Sequence, residues 1–485
     1  MKIPSLSLLF TSLGLTAPAF GQATLYELPD TIPTSTTADG SVVVGDVLSS
    51  GEYFEWTVSG GVVGIGGVTG GAGAGGQVSI SDDGTRVGGT ELNTGTGLFD
   101  ISLYDRGTGV WTSLGNVGGS SGGSTGSGWG ISGDGNHVVG LGWITAGSAH
   151  AVQWTDGTGL FDLGSTVAGQ SSRANAVDQD GDVVVGWQDT NTGARQAAVW
   201  DNGVQTLLTA GGSPLAEAGA VSADGQWVVG IGDIGTGDQA WRWSQGTGTL
   251  ALGDLGIGGL APRGFATDLT GDGSTIIGFD RGITPIPTDG EGWIWTQAGG
   301  LVSLDDMFAA QGIVATNGLR FSLPLAISAD GTTIAGAGRT DSSFFMGWVV
   351  SLGDPACVSF CSSLPNATGS SATLTCSGVP SSSLVLTSSA VPNTTGQFFY
   401  GPMALGGAGT LGDGVRCVGG LLTRMLPFVT AGGMGQPANT ASLTVNYTAP
   451  YASGLTGTKH FQYWFRSGLG TGTGSNSSDA ISITF

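Results

Sequence analysis

The stretch Val221-Ser222-Ala223-Asp224-Gly225-Gln226-Trp227-Val228-Val229-Gly230 places an Asp-Gly pair ahead of an apolar run. A type I′ turn needs positive φ at both central residues, and Asp-Gly tolerates that conformation well. The stretch therefore predicts a β-hairpin: a strand, a type I′ turn and a second strand.

Versions of this hairpin recur along most of the chain, with gaps of 44, 51, 46, 44, 48 and 58 residues between successive aspartates. Each Asp-Gly is followed by a short apolar run that ends in glycine. An aromatic residue follows about twenty residues later, and a fourth short strand often ends in Leu-Gly. Four strands at a period in the forties are typical of a β-propeller blade, so we expect an all-β, seven-bladed β-propeller. The turn aspartates are Asp39, Asp83, Asp134, Asp180, Asp224, Asp272 and Asp330, and the aromatic residues are Trp56, Tyr104, Trp154, Trp200, Trp243, Trp295 and Trp348.

The two valines of each run predict burial on both faces of the strand, because a strand with one wet face would alternate apolar and polar residues. Blades stacked on both sides provide such an environment. One aromatic at a fixed place in each unit indicates packing between blades. The segment Leu25-Tyr26-Glu27-Leu28 precedes the first hairpin and is expected to complete the last blade, which closes the ring and removes sheet edges.

The N-terminus predicts export. Lys2 precedes an apolar segment from Ile3 to Leu15, and Ala19-Phe20-Gly21 forms a small-x-small cleavage site. We therefore expect a signal peptide over 1–21, a propeller over 22–353 and a second domain over 354–485. No later segment reaches 18 continuous apolar residues, so no membrane insertion is expected.

The charge balance limits the choice of partners. The chain has 36 acidic and 14 basic residues and a net charge of −22, which becomes −23 once Lys2 is removed. Such a chain is repelled by nucleic acids and by anionic membranes. The expected partner is another extracellular protein or a polysaccharide, and the protein is expected to be a secreted or cell-surface monomer.

All four cysteines follow the proposed linker Asp354-Pro355. An even number of cysteines in an exported chain predicts two disulfides, and four cysteines permit three pairings. A zinc site is disfavoured because no Cys-x₂-Cys pair occurs. The short strands of this segment predict a β-sandwich, whereas a membrane barrel would need strands of about ten alternating residues. The cysteines are Cys357, Cys361, Cys376 and Cys417.

The Ser-x-Asp-Gly-x-x-Val-Val-Gly hairpin, followed by Trp and Leu-Gly, resembles the HAF family of probable extracellular repeats. Val221 to Gly230 with Trp243, and Ile131 to Gly140 with Trp154, match this pattern most clearly. The resemblance covers about residues 35–350 and departs from the pattern at Tyr104, where Trp is expected. It implies a secreted or surface propeller-like protein without an assigned activity.

The tail resembles a C-terminal domain found on exported proteins of planctomycete-like bacteria. The matching stretches are Pro365 to Gly369, Arg416 to Gly420, Phe461 to Arg466 and Ser478 to Phe485. This resemblance implies that Cys361 pairs with Cys417, which leaves Cys357 with Cys376. The role of the domain does not follow from the resemblance, and sorting or surface attachment is a hypothesis.

One turn is a candidate for calcium, because Asp178, Asp180 and Asp182 place three carboxylates at alternating positions. An EF-hand loop also needs a Glu at position 12, which this sequence lacks, so turn formation is favoured over metal binding. The hairpin also lacks the spacing of a sialidase Asp box and an evident set of arginines for a sugar carboxylate. No cofactor and no catalytic residue are predicted.

Trp129, Trp143 and Trp187 fall outside the repeat register and are the better candidates for exposed contacts. The favoured function is a non-catalytic extracellular binding or structural protein. The alternative is a propeller hydrolase acting on glycans, which carboxylates of perturbed pKa facing the channel would favour.

Overall fold

The computed structural model describes the chain in two units, one of Gln22–Leu352 and one that contains Gly353–Phe485. The described residues are 23–68, 76–235, 237–256, 263–282, 286–352, 358–365, 371–377, 385–392, 395–411, 414–425, 429–430, 443–448, 458–466 and 475–484. The expected signal peptide lies outside this range. Among the described residues, no helix has the length and hydropathy needed to cross a bilayer.

The described residues of the first unit form seven antiparallel sheets, in which consecutive strands pair except where the N-terminal strand joins the last sheet. The protein is therefore an all-β protein, as predicted. An N-terminal strand, β1 (Thr24–Pro29), precedes sheet 1. Sheet 1 contains β2 (Thr31–Thr36), β3 (Val43–Val47), β4 (Tyr53–Thr57) and β5 (Gly61–Gly66). Sheet 2 contains β6 (Ser79–Ile80), β7 (Arg86–Asn93), β8 (Leu98–Asp105) and β9 (Val110–Ser113). Sheet 3 contains β10 (Gly126–Ile131), β11 (His137–Thr145), β12 (Ser148–Thr155) and β13 (Gly159–Gly164).

Sheet 5 has one additional short strand, and a single helix, α1 (Leu304–Ala310), follows sheet 6. Sheet 4 contains β14 (Ser172–Val177), β15 (Val183–Asp189), β16 (Arg195–Asp201) and β17 (Val204–Leu207). Sheet 5 contains β18 (Thr209–Ala210), β19 (Ser213–Val221), β20 (Val228–Asp233), β21 (Asp238–Ser244) and β22 (Gly248–Gly253). Sheet 6 contains β23 (Gly264–Leu269), β24 (Thr275–Asp280), β25 (Glu291–Thr296) and β26 (Gly300–Ser303).

Sheet 7 joins the two ends of the unit. It contains β27 (Arg320–Ile327), β28 (Thr333–Arg339) and β29 (Met346–Ser351), and its outer strand is β1. Six residue pairs join β1 to β29 in antiparallel register, from Thr24 opposite Ser351 to Pro29 opposite Met346. The prediction that the N-terminal strand completes the last sheet is confirmed.

The inner strands of the seven sheets contact one another in a closed cycle, in the order β2, β6, β10, β14, β19, β23, β27 and back to β2. This cyclic arrangement of four-stranded sheets is that of a β-propeller. The cycle is also closed by backbone hydrogen bonds of 2.9–3.2 Å, one between each pair of neighbouring sheets. We call this set the ring. In each of its seven hydrogen bonds a backbone N–H donates to a backbone carbonyl. The donor–acceptor pairs are Ala38 N–H and Asp82 O, Asp82 N–H and Gly133 O, Asp134 N–H and Gln179 O, Gln179 N–H and Ala223 O, Ala223 N–H and Gly271 O, Gly271 N–H and Ala329 O, and Asp330 N–H and Ala38 O.

The hairpin turn differs from the predicted type I′ turn. Gly225 has φ +69°, but Asp224 is not among the residues with positive φ. The Gly225 N–H donates to Ser222 O at 2.9 Å, so Ser222 to Gly225 form a type I turn with a left-handed glycine at its end. The Asp224 side chain explains the preference for aspartate, since its Oδ1 accepts from Ser222 Oγ (2.7 Å) and from the Gln226 N–H (3.0 Å).

Adjacent valines pack into different cores, as predicted for sheets covered on both faces. Val228 belongs to a cluster with Val185 and Trp241, whereas Val229 belongs to one with Ala266 and Trp293. The side chains of both valines are fully buried. Each hydrophobic cluster of this kind joins one sheet to the next.

The described residues of the second unit form eleven strands: β30 (Val358–Cys361), β31 (Thr373–Ser377), β32 (Val385–Val391), β33 (Thr395–Gly401), β34 (Met403–Leu411), β35 (Gly414–Gly419), β36 (Thr423–Arg424), β37 (Val429–Thr430), β38 (Leu443–Thr448), β39 (Thr458–Arg466) and β40 (Ser475–Thr484). They pair in three sheets. Strands β30, β40, β39, β33 and β36 form the first, in which β37 also pairs with β33; β31, β32 and β38 form the second, and β34 and β35 the third. Phe398, Phe461 and Tyr463 of the first sheet share a core with Leu374 and Leu386 of the second.

A disulfide joins Cys361 to Cys417, with 6.0 Å between the Cα atoms. This is the pair that the resemblance to the exported tail domain implies. Cys376 is disulfide-bonded as well. Cys357 lies outside the described residues.

Candidate functional site

A cavity of about 400 Å³ lies inside the circle of inner strands, and all seven of these strands line it. Concave sites of this size are typical of small-ligand pockets. It is the candidate functional site because the fold brings side chains from seven distant segments together there.

The ring lies at the end of the cavity next to the hairpin turns. Five of the seven residues at the ring positions are alanine or glycine: Ala38, Gly133, Ala223, Gly271 and Ala329. A Cβ on Gly271 would lie 3.2 Å from the Ala329 Cβ and 3.6 Å from the Ala223 Cβ. Little space therefore remains between these neighbouring ring residues, and we infer that a ligand approaches from the opposite end, which we call the mouth.

A β-bulge interrupts six of the seven inner strands at the same place, three residues before the turn begins. A bulge re-aims a side chain that would otherwise follow the alternation of the strand. All six bulged residues line the cavity: Thr34, Trp129, Asn175, Gly219, Thr267 and Leu325.

The glycine that ends each Val-Val-Gly run is explained by this bulge. A Cβ on Gly230 would lie 2.0 Å from Glu217 O, and one on Gly186 would lie 2.0 Å from Arg173 O. The same close approach, at 2.1–2.2 Å, occurs at Gly45, Gly140, Gly278 and Gly336. The glycine makes room for the carbonyl of the bulged strand, and that strand carries residues of the cavity wall.

A polar and aromatic cluster lies on the wall formed by sheets 3, 4 and 5. The Arg173 guanidinium lies 3.6 Å from the centroid of the Trp129 ring and 5.2 Å from that of Trp187. Its Nε donates to Asn175 Oδ1 (2.7 Å), and its Nη2 donates to Glu217 Oε1 (2.8 Å). Burial lowers the Arg173 pKa to about 10, so the guanidinium stays charged at neutral pH.

Asn175 and Arg195 make further contacts with Glu217. Asn175 Nδ2 donates to Glu217 Oε1 (2.9 Å) and to Ala218 O (2.8 Å). Arg195 Nη1 donates to Glu217 Oε2 (3.1 Å), and its guanidinium lies 4.1 Å from the Trp187 ring. Both oxygens of Glu217 are thus occupied, which fixes its orientation. We call Trp129, Arg173, Asn175 and Glu217 the wall cluster.

Carboxyl groups line the deeper part of the cavity. The oxygens of Asp268 accept from the Leu269 N–H (2.8 Å) and from the Ile327 N–H (2.9 Å). Burial raises the Asp268 pKa to about 7 and, against the hydrogen bonds that it accepts, the Asp178 pKa to about 6. The Gln179 side chain lies against Gly133. With its amide nitrogen toward Asp82, it donates to Asp82 Oδ2 and accepts from the Asp134 N–H.

These raised pKa values predict that the protein is more stable at pH 5 than at pH 8. Burial also raises the pKa of Asp46 to about 7 and that of Asp280 to about 6. An acid whose pKa is raised on folding stabilises the fold below its unfolded pKa, and this contribution is lost as the pH rises through the folded value. Denaturant unfolding at several pH values measures the slope, and Asp268→Asn should make it shallower between pH 5 and 8. An unfolding free energy that rises over this interval would contradict the burial of these acids.

The predicted turn aspartates do not converge on the cavity, because six of the seven are engaged in their own turns. A Ser or Thr hydroxyl two residues earlier donates to each of these six Oδ1 atoms, at 2.6–2.8 Å. Despite the opposing effect of burial, hydrogen bonds lower the pKa of Asp39, Asp83, Asp134 and Asp272.

The fourth turn, which is the calcium candidate, follows a different pattern. Asp178 occupies the place of the hydroxyl residue, and its Oδ1 accepts from the Gly181 and Val183 N–H groups, both at 3.1 Å. Among the residues that the structure describes, no group of three or more His, Cys, Asp or Glu side chains could hold a metal ion. The hydrogen bonds from Gly181 and Val183 give the Asp178 carboxylate a turn-forming role. Asp180 and Asp182 lie in the same turn.

The three tryptophans predicted to be exposed contacts differ in exposure. Trp129 is half-buried and lines the cavity, and Trp143 is half-buried. Trp187 is only 5% exposed, so the prediction that it is an exposed contact is wrong. It is buried because it lies beneath the Arg173 and Arg195 guanidinium groups.

Sequence reasoning missed the wall cluster, although the repeat contains a signal for it. Arg173 and Glu217 are 44 residues apart, the same distance as Asp180 and Asp224. Each lies five residues before the first residue of its turn, Asp178 or Ser222. Aligning the repeats would therefore have placed them side by side on neighbouring inner strands.

No family model matches this chain, and no curated protein does. Among solved structures, the chain is similar to TolB from Acinetobacter baumannii, with 14% identity and a TM-score of 0.35. The match covers 58% of this chain and 63% of the TolB chain, so it spans less than two thirds of TolB. The chain is also similar to the β-propeller domain of the Trilobed protease from Pyrococcus furiosus, with 11% identity, a TM-score of 0.42 and coverage of 69% and 97%. A third is oligogalacturonate lyase from Vibrio parahaemolyticus, with 12% identity, a TM-score of 0.43 and coverage of 68% and 97%. Structural similarities with sequence identities and TM-scores this low say nothing about what the chain binds or catalyses.

Proposed function

We propose that this chain is an exported, non-catalytic binding protein that acts at the cell surface or outside the cell. In this proposal the seven sheets are the blades of a complete propeller of HAF-type repeats, and the second unit is a β-sandwich. The partner is a polysaccharide or another extracellular protein, and it binds at the mouth of the cavity. A monomer suffices, because one chain supplies the whole cavity wall.

The observation that carries the proposal is that the carboxylates lining the cavity have structural partners. Glu217 is held by two arginines and Asn175, and Asp268 accepts from two backbone amides. Asp178 accepts from the amides of its own turn, and Asp82 accepts from Gln179. A glycosidase needs two carboxyl groups that exchange protons with substrate and water. Carboxylates that serve as fixed acceptors suit a rigid binding surface better.

The alternative is a glycan hydrolase, and one observation favours it. Asp178 and Asp268 line the cavity with raised pKa values, as a general acid would. Their engagement with backbone amides weighs against proton transfer, and for this reason the binding function is preferred.

A glycan array combined with a reducing-sugar assay tests the proposal on the exported chain, 22–485. We expect binding of at least one glycan and no release of reducing ends. Turnover that is abolished by Asp268→Asn or Asp178→Asn would replace the proposal with the hydrolase. If the array shows no binding and the assay no turnover, the polysaccharide partner and the hydrolase are both excluded, and a protein partner or a structural role is left.

A further inference from the structure

The wall cluster combines an aromatic ring with fixed hydrogen-bonding groups on one side of the cavity. Trp129 is held by the Arg173 guanidinium at 3.6 Å and by a hydrogen bond from its Nε1 to Ser127 Oγ at 3.0 Å. Arg173, Asn175 and Glu217 hold one another, so donors and acceptors are oriented before any ligand arrives. Such preorganisation reduces the entropy lost on binding.

The remaining lining is a mixture of hydroxyl or amide groups and apolar side chains. Thr34, Thr267 and Gln77 contribute polar groups, and Phe265 and Leu325 contribute apolar surface. A sugar ring presents both kinds of surface, because its hydroxyls lie around the edge and its C–H groups lie on the faces. An aromatic ring covers the C–H face, and planar polar side chains pair with neighbouring hydroxyls.

Charge argues against an anionic ligand. Four acidic side chains line the cavity, Asp82, Asp178, Glu217 and Asp268, against the single cation Arg173. The whole chain carries a net charge of −22. Arg195 and Arg173 share Glu217, and Asp189 lies opposite Arg195 in the strand register, so the arginines leave no excess positive charge. A polyanion would therefore be repelled both at long range and within the cavity.

The inner strands also offer little to an extended peptide. Side chains of several sheets engage backbone groups of the next: Thr34 Oγ1 donates to Val78 O (2.8 Å), and Thr267 Oγ1 donates to Pro324 O (2.9 Å). In the same way, Ser79 Oγ accepts from the Ile131 N–H at 3.2 Å. A peptide that adds to a sheet needs unpaired edge groups, and these contacts occupy such groups in sheets 2, 3 and 7.

We propose that the cavity binds an uncharged saccharide, such as the end or a branch of a neutral polysaccharide, with its sugar ring against Trp129 and its hydroxyls on Arg173, Asn175 and Glu217. This inference rests on the proposed binding function and names its ligand class. The residues that contact the ligand come from sheets 3, 4 and 5, so the site exists only when these sheets are adjacent.

Isothermal titration of chain 22–485 with uncharged gluco-, manno- and galacto-oligosaccharides tests the inference, with polygalacturonate and a polar hexapeptide as comparison probes. Trp129→Ala should weaken saccharide binding at least about tenfold, which corresponds to about 1.4 kcal/mol. Asn175→Ala is a second variant, since it removes a hydrogen-bonding group of the wall cluster and keeps the Trp129 ring. Circular dichroism checks that each variant is folded.

The chain provides a matched control in Trp227, which stacks on Arg242 at 4.1 Å in a similar arrangement that does not line the cavity. Trp227→Ala should leave the affinity within about twofold. Saccharide binding that resists both Trp129→Ala and Asn175→Ala would overturn the site but keep the proposed binding function. Binding of only polygalacturonate or only the peptide would overturn the ligand class, and binding of no probe would overturn the inference.

Discussion

Replacing Gly230 by alanine is expected to lower the free energy of unfolding by about 3 kcal/mol, at the upper end of the usual cost of overpacking. The added Cβ would lie 2.0 Å from Glu217 O and 2.7 Å from Trp241 Cζ2. The first contact is with backbone, which cannot rotate away as a side chain can. Moving it would also displace Glu217 from Arg173, so saccharide binding should weaken along with stability. Urea or guanidinium unfolding gives the first quantity and titration gives the second.

Gly89 is the matched control, because it occupies the same place in the second repeat without a carbonyl against it. The three atoms nearest to a Cβ there would be ring atoms, Tyr53 Cε2 at 2.9 Å and Trp111 Cη2 and Cζ3 at 3.1 and 3.4 Å. The neighbouring β6 strand is only Ser79–Ile80, and its paired residues show no register shift. Gly89→Ala should therefore cost at least about 1 kcal/mol less than Gly230→Ala, because ring atoms can shift where a backbone carbonyl cannot. Equal costs at the two positions would mean that the bulge does not explain the repeated glycine.

Removing residues 1–30, which include β1, is expected to destabilise the first unit by more than about 5 kcal/mol. Six residue pairs with β29 are lost, at roughly 1 kcal/mol for each hydrogen bond. Leu28 is also lost from a core that contains Val43 and Trp56 of sheet 1 and Val349 of sheet 7. Loss of a buried Leu side chain alone costs about 2–5 kcal/mol.

A chain lacking only residues 1–21 is the control for this deletion and should unfold like the full chain, because β1 begins at Thr24. Leu28→Ala should fall between the two. If the longer deletion leaves the unfolding midpoint unchanged, β1 does not hold the ends of the circle together.

The sequence predicts the repetitive part of the fold well, because the repeat is written in local residue choices. The period, the four strands and the paired valines follow from turn chemistry and from burial on both faces. The closing strand at Leu25–Leu28 was predicted because the last unit lacks an outer strand. The prediction of a type I′ turn is wrong, because only Gly225 takes positive φ, while Asp224 supports the turn through its side chain, which accepts hydrogen bonds.

The candidate site could not be predicted in the same way, because it depends on contacts between repeats. Nothing local to Trp129 shows that a bulge turns it toward a cavity or that an arginine 44 residues later lies on its ring. Trp187 has the same local character, yet it is buried beneath two guanidinium groups. Sequence composition indicates that tryptophans are available, but neighbouring strands decide which of them faces a ligand.

Hydrogen–deuterium exchange at the amides of the ring tests most directly whether the repeated hairpins close a circle. The donors are the amides of Ala38, Asp82, Asp134, Gln179, Ala223, Gly271 and Asp330, one for each junction between sheets. Because a closed circle has no free junction, all seven should be protected to a similar degree and exchange only when the unit opens as a whole. Fast exchange at one junction, as in a free loop, while the others stay protected would show an open arrangement and contradict the closed ring.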